Sequence, residues 1–124
     1  MASILLIDDD HENQILLRLI LESGGHTVRL ADNGEQGLAE VSAQKPDVVL
    51  LDAMLPDMDG YEVCRRMRAL PELAALPILF FSARSDAQSR ALAAEAGATE
   101  YVPKSLSPKE LLGRVAEAVV RSGV

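Results

Sequence analysis

Three short, continuous apolar runs constrain the fold of this chain more than any other feature. They are SILLID (3–8), DVVLLD (47–52) and PILFFS (77–82), and each ends in a residue with a polar oxygen. Runs of this kind are typical of strands that are buried on both faces, as in parallel sheets. HTVRLA (26–31) alternates apolar and polar residues and predicts an edge strand, and TEYV (99–102) predicts a short fifth strand.

A helical segment with its own start or stop signal follows each predicted strand. Gly24 and Gly25 stand where the first helix should end in a left-handed residue, and Gly97 stands at the end of the fourth. The predicted helix starts are capping boxes, namely Asn33 with Gln36, Asp59 with Glu62, Ser85 with Gln88, and Ser107 with Glu110. Five strands alternating with five helices predict an α/β fold, a doubly wound parallel sheet with helices on both faces.

The composition limits the classes of protein to which the chain can belong. Its 124 residues suffice for one core, and we expect a single domain over 1–124 with no output or catalytic domain attached. The formal net charge of -7 argues against direct binding of nucleic acid through a basic face. No apolar run is long enough to span a membrane, and Cys64 is the only cysteine, so no internal disulfide can form. These features favour a reduced, cytoplasmic protein.

Polar residues follow the predicted strands at a single edge of the sheet. Asp8 and Asp9 follow the first strand, Asp52 ends the third, Ser82 ends the fourth and Lys104 follows the fifth. Ligands bind at this edge in doubly wound sheets. Each pair of like charges ~4 Å apart costs about 4 kcal/mol at an effective dielectric of ~20, so three aspartates here need a compensating cation. A hard divalent ion such as Mg²⁺, together with the lysine, would balance their charge.

Four motifs of the chain resemble those of a known family. The acidic pair after the first strand, DAMLPDMDG (52–60), Ser82 before Ala83, and YVPK (101–104) occur in an order that resembles the receiver domains of response regulators in two-component signalling. The resemblance covers essentially the whole chain and implies a flavodoxin-like sheet with strand order 2-1-3-4-5. It implies phosphoryl transfer to Asp52 from a histidine kinase or a histidine phosphotransfer protein. It also implies a downstream protein partner and leaves open a phosphorylation-dependent dimer.

The resemblance also implies a set of metal ligands. Asp9 and Asp52 would hold Mg²⁺ directly, and Asp8 would assist through water. The backbone carbonyl of Met54 would complete the ligands that the protein supplies. Asp10, in contrast, is interpreted as a residue that starts the first helix.

The remaining roles concern the phosphoryl group. Asp52 would be the nucleophile, and Lys104 with the metal would offset the charge on the transferring group. Ser82 would offer its hydroxyl to a phosphoryl oxygen, and Tyr101 would then move inward as the switch residue. The chain departs from the family pattern at Ser105, which stands where a cis proline is usual. Both isomers of the Lys104–Ser105 bond are open; we expect trans, because cis costs ~2.5–4 kcal/mol before a residue other than proline.

The first helix carries more apolar residues than a core-facing stripe needs. We expect Leu17, Ile20, Leu21 and Gly24 on its core side. Ile15 and Leu19, spaced by one helical turn, are then left on the surface beside the acidic edge. They predict a docking patch for the phosphodonor, and the alternative is that they are scattered surface residues.

Three other functions compete with phosphoacceptor signalling. A phosphatase of the haloacid-dehalogenase type would use Asp8 as nucleophile, but Glu12 stands where that motif needs Thr or Val, and Asp52 is left unexplained. A flavodoxin needs a hydroxyl-rich loop for the flavin phosphate, which carboxylates would repel. A degenerate receiver would bind partners without phosphorylation, and the intact acidic residues, Ser82 and Lys104 speak against it.

Overall fold

The computed structural model describes residues 2–83 and 86–121, without the side chain of Arg121. Its elements, in chain order, are β1 (Ser3–Ile7), α1 (His11–Ser23), β2 (Thr27–Ala31), α2 (Gly34–Ala43), β3 (Val48–Asp52), α3 (Gly60–Arg68), a 3-10 turn (Pro71–Leu73), β4 (Ile78–Ser82), α4 (Ala87–Ala96), β5 (Glu100–Pro103) and α5 (Pro108–Arg121). The strands form one sheet in the order β2-β1-β3-β4-β5, with every neighbouring pair parallel. The predicted fold class and strand order are therefore confirmed.

The central strands are buried on both faces, as their continuous apolar runs predict. Every residue of β3 and β4 is buried, and in β1 only Ser3 is partly exposed. Successive side chains point to opposite faces of a sheet, so each strand contributes to two cores. One core packs against α2, α3 and α4 and contains Cys64, whose thiol has its pKa raised to about 11 by burial. The other packs against α1 and α5.

The helix ends agree with most of the predicted signals. Gly25 and Gly97 have φ of +88° and +101°, in the left-handed region that glycine tolerates. Asn33, Asp59 and Ser107 each accept a hydrogen bond from the backbone N–H three residues later, at 2.8, 2.8 and 3.2 Å. These three residues therefore act as N-caps, as predicted. Among the described boxes only the last is reciprocal, because the Glu110 carboxylate also accepts from the Ser107 N–H.

The fourth helix starts one residue later than its predicted capping box implies. Its N-cap residue is Asp86, while Ser85, the predicted cap, lies outside the described residues. Aspartate and serine are equally good N-caps, so the sequence pattern does not discriminate between them.

The start of α3 is pressed against the end of β3. The Gly60 N–H donates to the carbonyl of Ala53 at 2.9 Å, which closes the base of the loop between the two elements. A Cβ atom on Gly60 would lie 2.4 Å from the carbonyl oxygen of Asp52, so only glycine fits there. Within residues 2–83 and 86–121, the helices are all too short or too polar to cross a bilayer.

Candidate functional site: an acidic cleft at the carboxyl edge of the sheet

The structure brings the three predicted aspartates together. Carboxylate oxygens of Asp8, Asp9 and Asp52 all lie within 4.8 Å of one another. Asp8 and Asp52 are buried whereas Asp9 is exposed, so the cluster opens to solvent on one side. Above it lies an open cleft of about 320 Å³, whose lining includes Met54, Ser82 and Lys104. The sequence prediction that these residues meet at one edge is correct.

The carboxylate of Asp52 is held from two sides. Its Oδ1 accepts the backbone N–H of Met54 at 3.0 Å, and its Oδ2 lies 3.1 Å from the Nζ of Lys104. The Lys104 side chain also passes over the ring of Phe81, with Nζ 5.7 Å from the ring centroid. Its backbone N–H donates to the carbonyl of Ser82 at 2.9 Å. These contacts fix both the nucleophile candidate and the cation beside it.

The peptide bond after Lys104 is trans, as expected. Among the described peptide bonds none is cis, and the lysine reaches Asp52 with Ser105 in the position after it.

Asp8 is the most deeply buried carboxylate of the cluster, and its surroundings disfavour its charged form. Its Oδ1 accepts the N–H of Asp10 at 2.9 Å, whereas its buried Oδ2 has no hydrogen-bond partner among residues 2–83 and 86–121. Burial, and to a smaller extent the charge of Asp52, raise the pKa of Asp8 to about 6, against the opposing effects of the Asp10 N–H and Lys104. An unpartnered buried carboxylate oxygen is rare in folded proteins. Asp8 also lies beside the carboxylates of Asp9 and Asp52, and three carboxylates together are a suitable donor set for a hard cation.

Asp10 plays the separate role that the sequence predicts. Its Oδ1 accepts the backbone N–H groups of Glu12 and Asn13 at 2.9 and 3.3 Å, which makes it the N-cap of α1.

Tyr101, the predicted switch residue, packs against the core in this structure. Its ring is already buried, only 9% exposed, and lies parallel to that of Phe80 with centroids 6.5 Å apart. The guanidinium of Arg90 lies 5.2 Å from the Tyr101 ring centroid. The movement of this ring on phosphorylation stays a prediction. Ser82, the other switch residue, is buried at the end of β4.

The first helix leaves an apolar surface beside the cleft. Ile15 and Leu19 are each 64% exposed, as predicted, and Leu16, which the sequence analysis did not assign, is 57% exposed. On the predicted core side, Leu17 and Leu21 are buried, Ile20 is half-buried and Gly24 is exposed because the helix ends there. A groove of about 190 Å³ runs between α1 and the segment after β5, lined by Asn13, Leu16, Leu17, Ile20, Phe81, Lys104, Leu106, Pro108 and Leu111.

Two residues near the cleft were missed by the sequence analysis. Gln14 is only 6% exposed, and its Nε2 donates to the carbonyl of Asp8 at 2.6 Å and to Asp32 Oδ1 at 2.7 Å. A signal for it exists, since Gln14 stands one turn before Leu17 on the buried stripe of α1, where a polar residue needs a partner. The second is Asp57, which accepts backbone N–H groups of α2 that lie far away in the sequence.

Comparison with known proteins gives one consistent result. A family model described as the response regulator receiver domain matches residues 4–116. The transcriptional regulatory protein AfsQ1 of Streptomyces coelicolor is 42% identical over 123 residues, which are 99% of this chain and 53% of that protein. The alkaline phosphatase synthesis transcriptional regulatory protein PhoP of Bacillus subtilis is 37% identical over 121 residues, 98% of this chain and 50% of that protein. The chain spans about half the length of these curated relatives.

Solved structures agree with the sequence matches. A putative response regulator from Chloroflexus aurantiacus superposes with a TM-score of 0.92 at 36% identity, covering 96% of this chain and 98% of that one. The BeF3-activated N-terminal receiver domain of Klebsiella pneumoniae RstA has a TM-score of 0.88 at 30% identity, covering 94% and 97%.

The charge on Asp8 should make the metal-free protein less stable at neutral pH than a variant without it. The pKa of Asp8 is raised from 3.8 to about 6 in the folded state, so its ionisation opposes folding, and stability falls as the pH rises through this interval. Asp8→Asn removes the charge and keeps an acceptor for Asp10. We expect it to raise the free energy of unfolding by roughly 1–3 kcal/mol at about pH 7.5 in EDTA, measured by urea denaturation. An equal gain at about pH 4 would contradict this explanation.

Proposed function

The chain belongs to the response regulator receiver domain family of two-component signalling, and we propose that Asp52 is its phosphoacceptor. The single observation that carries this proposal is the Asp52 carboxylate itself. It is buried at the floor of an acidic cleft, with the Lys104 Nζ 3.1 Å from its Oδ2 and two further aspartates beside it. The phosphodonor would be a histidine kinase or a histidine phosphotransfer protein.

The reaction needs little beyond a positioned nucleophile and positive charge. A carboxylate oxygen of Asp52 forms the new P–O bond while the P–N bond to the donor histidine breaks and the imidazole leaves with the electron pair. The Met54 N–H holds Oδ1, so the carboxylate keeps its orientation during the approach of the donor. Lys104 offsets the negative charge that three phosphoryl oxygens bring into the cleft, which is the usual electrostatic contribution in phosphoryl transfer.

The donor set at this edge fits Mg²⁺. The candidate ligands are all oxygens, and the buried Asp8 Oδ2 has no hydrogen-bond partner in the part of the chain that the structure describes. The residues that would hold the ion are Asp8, Asp9 and Asp52, together with the backbone carbonyl of Met54. When bound, Mg²⁺ supplies positive charge next to the phosphoryl oxygens and lowers the repulsion between the carboxylates.

Phosphorylation should depend on Asp52 and on the divalent ion. Wild-type protein incubated with acetyl phosphate and Mg²⁺ should gain the mass of one phosphoryl group, whereas Asp52→Asn should not, because the amide is not a nucleophile. EDTA should abolish the gain, and both results can be read by intact mass spectrometry. Asp47→Asn is the matched control, since Asp47 accepts the Ser3 N–H at the opposite edge of the sheet.

The rival functions predict different results in the same experiment. An Asp52→Asn protein that still gains one phosphoryl group at the wild-type rate would refute the assignment. A wild-type protein that gains none would favour the degenerate receiver. Steady turnover of a phosphomonoester that is lost in Asp8→Asn would favour the phosphatase.

We also propose that Ser82 and Tyr101 couple phosphorylation of Asp52 to a change in the surface around them. The new phosphoryl group carries a charge of about -1.5 to -2, and a charge-assisted hydrogen bond from Ser82 is worth ~1.5–3 kcal/mol. Moving a population from 1:99 to 99:1 requires ~5.5 kcal/mol, so Lys104 and backbone N–H groups must supply the rest. Since Tyr101 is already buried, the change would be a rearrangement around its contacts with Phe80 and Arg90.

Removal of the Ser82 hydroxyl should weaken switching without preventing phosphorylation. Ser82→Ala should gain a phosphoryl group from acetyl phosphate but show only part of the wild-type change in the chemical shifts around Tyr101. Ser89→Ala is a matched control, because Ser89 is equally buried but lies on α4. A full wild-type response in Ser82→Ala would refute this role.

The phosphodonor should dock on the exposed apolar residues of α1. The donor histidine has to reach the cleft, and the groove beside α1 is lined by Lys104 itself, so a helix seated there would bring its histidine to Asp52. Ile15 and Leu19 extend this surface along α1. They would bury apolar area that is otherwise open to water.

Shortening the docking residues should affect protein donors only. We expect Ile15→Ser and Leu19→Ser each to slow transfer from a phosphorylated histidine phosphotransfer protein by roughly tenfold, given ~1.5–3 kcal/mol for a buried aliphatic side chain. Acetyl phosphate should react as before, because a small donor does not use this surface. Val120→Ser, at a 74% exposed position of α5, is the control. Equal loss with both donors would contradict docking.

The partners beyond the phosphodonor remain part of the proposal. AfsQ1 and PhoP are named transcriptional regulators, and this chain corresponds to about half of each. We propose a downstream protein partner, and a dimer that forms on phosphorylation, as the receiver resemblance implies. A cytoplasmic location would suit both the intracellular phosphodonor and the free, buried thiol of Cys64.

A further inference from the structure

We propose that one segment, residues 32–36 between β2 and the first turn of α2, positions both loops that carry the metal ligands. It acts through the side chains of Gln14 and Asp57, which hydrogen-bond to it. Residues 32–36 are called the bracing segment below. The inference rests on the proposed function, since it concerns the site that would hold Mg²⁺.

The first connection runs from the bracing segment to the loop after β1. The buried Gln14 amide uses both of its N–H groups, one on the carbonyl of Asp8 at 2.6 Å and one on Asp32 Oδ1 at 2.7 Å. The Asp32 N–H in turn donates to the Gln36 side chain at 2.9 Å. The main chain of Asp8, and with it the start of the acidic pair, is therefore tied to residues 32–36.

The second connection runs from the same segment to the loop after β3. Asp57 Oδ1 accepts the N–H of Gly34 at 2.8 Å, and Oδ2 accepts the N–H of Glu35 at 2.9 Å. Slight burial raises the pKa of Asp57, but these hydrogen bonds outweigh it, and the net pKa lies below the usual range. The loop that carries the Met54 carbonyl is thereby anchored to the first turn of α2.

The contact between this loop and the bracing segment leaves no spare room. A Cβ atom on Gly34 would lie 2.7 Å from Met58 Cγ and 2.8 Å from Val63 Cγ2. The backbone of the bracing segment therefore lies directly against the loop after β3. Both ligand loops rest on one segment, which would fix their separation before an ion binds. Partners that orient metal ligands in this way typically change metal affinity 10- to 100-fold when they are removed.

The test is the affinity of the full chain for Mg²⁺, measured by isothermal titration calorimetry. Gln14→Met and Asp57→Ala should each weaken binding roughly tenfold. Asp57→Asn keeps one acceptor oxygen and should lose less. Because both side chains act through residues 32–36, the double variant Gln14→Met with Asp57→Ala should lose less than the product of the two single losses. Asp47→Ala removes a similar carboxylate–backbone hydrogen bond at the far edge of the sheet and should bind Mg²⁺ like the wild type.

Each other outcome overturns a specific statement. Wild-type protein that binds no Mg²⁺ would refute the proposed metal site, and the inference with it. Wild-type binding with unchanged affinity in Gln14→Met, Asp57→Ala and Asp57→Asn would refute the inference alone. A loss in Asp47→Ala as large as that in Asp57→Ala would mean that general destabilisation explains the effect. Single losses that multiply in the double variant would show two independent anchors instead of one shared segment.

Discussion

Mutual repulsion of three carboxylates is the constraint around which the rest of this structure is arranged. Asp8, Asp9 and Asp52 lie at the ends of neighbouring buried strands, and among the described residues that line the cleft Lys104 is the one cation that offsets their charge. The sheet can hold them together because its central strands are buried on both faces, and the apolar area that they bury opposes the repulsion. Binding of a divalent cation, as proposed above, would relieve this repulsion, and the free energy so recovered would add to the affinity for the ion.

The sequence predicts the parts of this arrangement that depend on local pattern. Continuous apolar runs indicate buried parallel strands, and a polar residue at the end of each run indicates the functional edge. Asp52, Lys104 and Ser82 could therefore be placed without coordinates. The order of the strands in the sheet was predicted from the resemblance to a family. Local sequence patterns do not determine that order, because it depends on packing between distant segments.

What the sequence did not predict depends on contacts between distant segments. The burial of Tyr101 follows from its fit against Phe80 and beside Arg90, and no periodicity shows which way an edge-strand aromatic turns. Asp57 lies in an ordinary polar loop, and its importance appears only when Gly34 and Glu35, more than twenty residues earlier, are placed beside it. Gln14 is an intermediate case. A polar residue on the buried stripe of a helix must have a hydrogen-bond partner, but the sequence does not show which residue that partner is.

The close approach of Gly60 to Asp52 limits how far movements of the loop between β3 and α3 can displace Asp52. Because the Gly60 N–H is bonded to the Ala53 carbonyl, residues 54–59 form a closed ring whose neck lies directly after the end of β3. A displacement of the loop can therefore reach Asp52 through this neck or through the Met54 N–H that donates to its carboxylate. The main chain at the end of β3 is thereby held in place independently of the exposed residues of the loop that follows it.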